Sequence, residues 1–179
     1  MKQVKLFDKE FRVSIPSEKI QEVIANMAKK INQDYKDKEI PLFISVLNGS
    51  FMFTADLFKL IDFNCEVTFL KLSSYHGTAS TGVVRQLIGV NEKISERDVI
   101  VLEDIVDTGI TLEQIVEQLN TFNPASVKIA TLLFKPAAYQ KQIKIDYVGM
   151  EIPNDFIVGY GLDYDGIGRN LADIYTLIP

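Results

Sequence analysis

The chain has 179 residues, of which 47% are hydrophobic, with a single cysteine and a formal net charge of −5. That length reads as a single domain, residues 1–179, and that composition excludes an unfolded chain. One cysteine excludes an internal disulfide, an acidic total without a basic stripe argues against nucleic acid, and no apolar run is long enough to span a bilayer.

The first residues, MKQVKLFDKEF, are charged throughout and lack the apolar stretch of a signal peptide. With the lone cysteine, this points to a reducing, cytoplasmic setting. From Ser17, apolar residues at 20, 23, 24, 27, 28 and 31 recur at helical spacing, predicting a helix to Tyr35 with Ser17 as its cap. PLFISVL (41–47) is a continuous apolar run of strand length, as expected for a strand covered on both faces. NGS then turns into a helix over FMFTADLFKLI, and CEVTFLKL (65–72) is the next strand. Strand, helix, strand is a βαβ unit.

SSYHGTASTG (73–82) has loop composition, and VVRQLI (83–88) reads as a short strand closing a hairpin arm around it. VIVLED (99–104) is a strand, Leu112, Ile115, Val116 and Leu119 mark a helix, and SVKIATLLF (126–134) is again a strand. Short strand-like pieces follow in DYVGM, FIVGY and DIYTLI. The alternation predicts an open, mainly parallel, twisted α/β sheet with helices on both faces. Ligands of such sheets sit at the carboxyl ends of the strands.

VLEDIVDTGITL (101–112) spans one such end. Glu103 and Asp104 are adjacent carboxylates, and Asp107 is a third acid close by. Two unit charges about 4 Å apart repel by roughly 4 kcal/mol at an effective dielectric of 20, so a hard cation such as Mg²⁺ would relieve the crowding. DTGIT (107–111) opens a helix, whose unpaired N–H groups make a phosphate seat; the same residues would also make an ordinary helix cap. No P-loop occurs, GYGLDY (159–164) lacks the strand–helix setting of a dinucleotide fingerprint, and His76 stands without the partners a zinc site needs.

The whole stretch resembles the phosphoribosyl pyrophosphate signature of type I phosphoribosyltransferases. VLNGSFMFTADL (46–57), LKLSSYHGTASTG (70–82), LLFK (132–135) and EIPNDFIVGYGLDY (151–164) resemble, in order, segments of the hypoxanthine-guanine phosphoribosyltransferases. That resemblance implies the family fold, including a small hood from the N- and C-terminal segments and a mobile loop arm. It implies transfer of phosphoribose from phosphoribosyl pyrophosphate to a 6-oxopurine with Mg²⁺, in a homo-oligomer (dimer or tetramer), with neither nucleic acid nor membrane as partner.

Carried onto matching positions, the resemblance gives Glu103, Asp104, Asp107, Thr108, Gly109, Ile110 and Thr111 the ribose and 5′-phosphate. Asp107 is the implied catalytic acid or base. Lys135, Phe156, Ile157 and Asp163 take the purine; Asn48, Gly49 and Arg169 take the pyrophosphate; Glu103, Asp104 and Asp163 hold the metal. Ser74 and Tyr75 belong to the mobile loop. By residue type alone, Phe156 in an apolar FIVGY reads as core, Lys135 as a solvated strand end, and Asp163 with Arg169 as a surface pair. Asn48 stands where the family usually has a lysine, beside a peptide bond, Leu47–Asn48, that the resemblance implies is cis. Two alternatives share this fold: a regulator binding nucleotide and nucleic acid, and a transferase preferring xanthine.

Overall fold

The computed structural model describes residues 2–73, 85–88 and 92–179. Ser74, Tyr75 and His76 lie outside the described residues. In chain order the elements are β1 (Gln3–Leu6), β2 (Lys9–Ile15), α1 (Ser17–Tyr35), β3 (Leu42–Leu47), α2 (Phe51–Phe58), β4 (Glu66–Ser73), β5 (Arg85–Ile88), β6 (Asp98–Val106) and α3 (Ile110–Asn120). β7 (Ser126–Phe134), β8 (Tyr147–Glu151), β9 (Ile157–Val158) and β10 (Ile174–Leu177) complete the chain.

The main sheet runs β5-β4-β3-β6-β7-β8. Five of its strands are parallel, and β5 is an antiparallel edge on β4. The central strands are covered on both faces, as their apolar runs require, whereas Val67 and Phe69 of β4 are exposed. Along β3, Phe43 joins the core under α1 and α2, while Leu42, Ile44 and Val46 join the core under α3. Along β6, Ile100 and Leu102 face the first core, and Val99 and Val101 the second. Period-two alternation thus splits one hydrophobic run between two cores.

β1 and β2 pair with β10 and β9 in a second, antiparallel sheet of order β1-β2-β10-β9. Its small core is Phe11, Val158 and Tyr175. This is the hood, built from both chain ends. Its N-terminal hairpin escaped the sequence reading although Val4 and Leu6, then Phe11, Val13 and Ile15, alternate with polar residues, the strand signal there being short and set among charges.

The start of α1 also differs from expectation. Pro16 is the N-cap and no side chain of the helix caps it; instead the Ser17 N–H donates to Asp173 Oδ1 at 2.9 Å. A residue 156 positions away therefore satisfies an orphan amide and ties the hood to the helix. Among the described residues no helix is long and apolar enough to cross a membrane.

Candidate active site

The sheet opens at its centre. β3 pairs with β6 only as far as Ser45 opposite Leu102, whereas β6 stays paired with β7 to Val106 opposite Phe134. Past Leu102 the two central strands part, with β4 on one side and β7 on the other. This is the place where an open α/β sheet binds ligands.

Glu103 and Asp104 border that opening from within a strand. β6 continues through both to Val106. Glu103 is only 7% exposed. Burial, with the Asp104 charge beside it, pushes the Glu103 carboxyl well above the usual carboxylate range. Burial likewise raises Asp104 to about 6; hydrogen bonds from the Ile105 and Asp104 amides and the Arg169 charge oppose the rise, and the Asp163 charge adds to it. Asp104 Oδ1 accepts from the Ile105 N–H at 2.9 Å. A Cβ on Gly49 would stand 1.6 Å from Asp104 Oδ2, so glycine is what lets the carboxyl lie against the turn after β3. That turn contains the cis peptide Leu47–Asn48.

Two adjoining cavities share Ile105 and Asp107. The smaller, about 110 Å³, is lined by Glu103 and by residues 105–112. Gly109, the N-cap of α3 with φ +81°, has no side chain to cap the helix, and the Ile110 N–H donates to Thr108 Oγ1 at 3.4 Å. Thr111 and Leu112 also line this cavity, at the helix end that carries a partial positive charge. Any side chain at Gly109 would also collide with Tyr139, whose ring would lie 2.4 Å from a Cβ there.

The larger cavity, about 390 Å³, is lined by Gly49, Asp104, Ile105, Asp107, Lys135, Phe156, Ile157, Leu162, Asp163 and Arg169. Lys135 is not a solvated strand end: it is 7% exposed, and its Nζ stands 3.4 Å from Asp107 Oδ2. Phe156 is not core: it is 45% exposed, with its ring propped by Phe11 at 6.1 Å and Tyr164 at 5.8 Å. An aromatic ring braced from behind and open in front can stack on a flat heterocycle. Arg169 pairs with Asp163 Oδ1 at 2.6 Å and donates to the Gly161 carbonyl at 2.6 Å. Asp163 Oδ2 accepts from the Gly166 N–H at 2.8 Å, so both its oxygens are engaged. Asn48 is exposed beside the cavity rather than in its lining.

A family model described as a phosphoribosyl transferase domain matches residues 16–165. The chain belongs to the phosphoribosyltransferase family. Within it, the similarity is to the hypoxanthine-guanine branch. The chain is 45% identical over 166 residues to a hypoxanthine-guanine phosphoribosyltransferase of Staphylococcus epidermidis, covering 92% of each. A solved hypoxanthine phosphoribosyltransferase from Staphylococcus aureus superposes with a TM-score of 0.87 at 40% identity, covering 94% of this chain and 91% of that one. A Trypanosoma cruzi hypoxanthine phosphoribosyl transferase, studied for the role of its C-terminal region in oligomeric state and activity, gives 0.88 at 37%, covering 98% and 95%.

In this phosphoribosyltransferase all the expected purine and ribose positions converge on the two cavities. Among the described residues, no group of three or more His, Cys, Asp or Glu side chains is gathered closely enough to hold a metal by itself. Sequence reading missed the support behind the turn after β3. Ser45 Oγ lies 2.7 Å from both Ser50 Oγ and Thr54 Oγ1, and Ser50 Oγ donates to the Val46 carbonyl at 2.6 Å. All three hydroxyls are buried. A lone serine inside PLFISVL was the available signal, because a buried hydroxyl needs a partner.

Proposed function

We propose that the chain transfers the 5-phosphoribosyl group of phosphoribosyl pyrophosphate to a 6-oxopurine, hypoxanthine or guanine, in purine salvage. The products are the nucleoside 5′-monophosphate and pyrophosphate. One observation carries the reading: an amide-lined seat and a cavity holding a braced aromatic ring and a buried lysine meet at Asp107. The 5′-phosphate takes the seat at α3. The purine lies in the larger cavity, stacked on Phe156 and edged by Ile157, with the Lys135 ammonium toward its 6-oxygen. Adenine fits poorly, because that ammonium would meet an amino donor.

Glu103 and Asp104 hold the ribose hydroxyls, and Gly49, Asn48 and Arg169 hold the pyrophosphate. Asp107 moves a proton at the purine ring, with Lys135 fixing its carboxylate. The donor set is all oxygen, which fits Mg²⁺, a cation that keeps waters and bridges protein carboxylates to substrate oxygens. Bound there, Mg²⁺ would supply charge neutralisation for the departing pyrophosphate. Asp104 is the acid already turned toward the pyrophosphate turn; Asp163 is held by Arg169 and Gly166. The reading further includes Ser74 and Tyr75 in a covering loop, a single cytoplasmic domain, and a dimer or tetramer.

Purified protein given phosphoribosyl pyrophosphate and Mg²⁺, with hypoxanthine, guanine, xanthine, adenine and uracil in separate reactions, tests this. Inosine or guanosine monophosphate should form only with Mg²⁺. No product from any base overturns the assignment, and faster use of xanthine overturns the base preference.

A further inference from the structure

Among the described residues, the lining of the smaller cavity contains two acids, Glu103 and Asp107, and no cation. A phosphate dianion bound there depends on backbone amides and on the field around them. α3 carries a further acid, Glu113, in its first turn. In an ordinary helix that placement complements the dipole; beside a bound phosphate it opposes the ligand.

The segment after β7 answers this. Three successive residues grip the phosphate loop. The Tyr139 ring lies against Gly109, the Gln140 N–H donates to the Thr108 carbonyl at 3.1 Å, and Lys141 Nζ pairs with Glu113 Oε2 at 2.5 Å. The Lys141 stem also crosses Gly109: a Cβ there would stand 3.0 Å from Lys141 Cγ. Tyr139 is itself fixed, its hydroxyl donating to the Ile143 carbonyl at 2.6 Å. Neither Glu113 nor Lys141 lines the cavity.

We propose that Lys141 is a positioning residue for the 5′-phosphate: by neutralising Glu113 and crossing Gly109 it keeps the α3 seat attractive to a dianion without touching it. The proposal rests on the seat being the 5′-phosphate site. A charge near a helix end is worth about 0.3–1 kcal/mol, which sets a roughly two- to five-fold effect.

Titration calorimetry with inosine 5′-monophosphate tests it on wild type, Lys141→Met, Glu113→Gln and the double variant. Lys141→Met should bind about two- to five-fold more weakly at low ionic strength, with the gap closing as salt screens the field. Glu113→Gln should bind no more weakly than wild type, and the double variant should recover wild-type affinity. A Lys141→Met variant that binds like wild type overturns the proposal. So does a double variant as weak as Lys141→Met, since Glu113 would then not be what Lys141 neutralises. A wild-type protein that binds no nucleotide sinks the functional reading instead, and the proposal with it.

Discussion

The two halves of the site are built differently. The proposed phosphate seat is almost one piece of chain: Glu103 and residues 105–112, from the end of β6 into α3. Its donors are main-chain amides, and their direction comes from the helix itself. The proposed base side takes residues from four stretches, at Gly49, Asp104 to Asp107, Lys135, and Phe156 to Arg169. Its donors are side chains, held in place by contacts between distant elements. Local backbone geometry suffices to bind a phosphate, whereas recognising a flat heterocycle requires a wall, a stacking ring and an edge brought from separate segments.

Asp107 belongs to both halves, so replacing it should have the largest effect. Asp107→Asn should lower turnover by about 10²–10⁴-fold while phosphoribosyl pyrophosphate affinity is kept, read by comparing kcat with a directly measured Kd. Full activity in that variant would remove Asp107 from the proton transfer. Phe156→Ala should affect the base half alone. Loss of stacking costs about 1–3 kcal/mol, appearing as a raised KM for hypoxanthine with the KM for phosphoribosyl pyrophosphate unchanged. Equal changes in both would show that the halves are not separable.

Gly161→Ala should disturb the joint between hood and sheet. Gly161 has φ +99°, and a Cβ there would lie 2.0 Å from the Gly49 carbonyl oxygen. A left-handed alanine costs roughly 1–2 kcal/mol before any collision, so both Tm and pyrophosphate affinity should fall. Asn48→Lys, restoring the charge usual in the family, should tighten pyrophosphate by about two- to five-fold, the scale of an exposed ion pair. Unchanged affinity would mean that the charge contributes nothing there.

A further effect concerns pH. The Lys2 ammonium, then the Ser17 amide, hold the Asp173 carboxyl below its ordinary value of 3.8. A lowered folded value means that stability is fully present above 3.8 and is lost as pH falls from there through the folded value. Asp173→Asn should therefore flatten the decline of Tm in that window. At neutral pH, Asp173→Ala should cost about 0.5–2 kcal/mol, the worth of a helix cap.

Much of the main sheet was legible because burial on two faces writes itself as apolar runs. β7 begins and ends where SVKIATLLF does, and α1 spans the periodic stretch from Ser17 to Tyr35. The hood was less legible. Val4, Leu6, Phe11, Val13 and Ile15 alternate with polar residues in β1 and β2, but the strands are short and cover one small core, so the alternation is brief and crossed by charges. In the site, turn and helix chemistry alone left 107–111 open between a phosphate seat and an ordinary helix cap, and the resemblance chose the seat. Phe156 and Lys135 could not be placed by type, because a phenylalanine in an apolar run and a lysine after a strand have duller uses. Their order among family-like segments singled them out, and tertiary contacts gave the ring its open face and the ammonium its burial.

The sequence by itself determined the parallel sheet, a helix after the DTGIT turn and the placing of Glu103, Asp104 and Asp107 near one strand end. These follow from periodicity, turn chemistry and charge, which act over a few residues. Only the tertiary structure decided that β3 and β6 part beyond Leu102, that Asp173 caps a helix 156 residues away, and that Gly161 meets Gly49. Those depend on which distant segments pack together, and that choice is made by the summed burial of the whole chain.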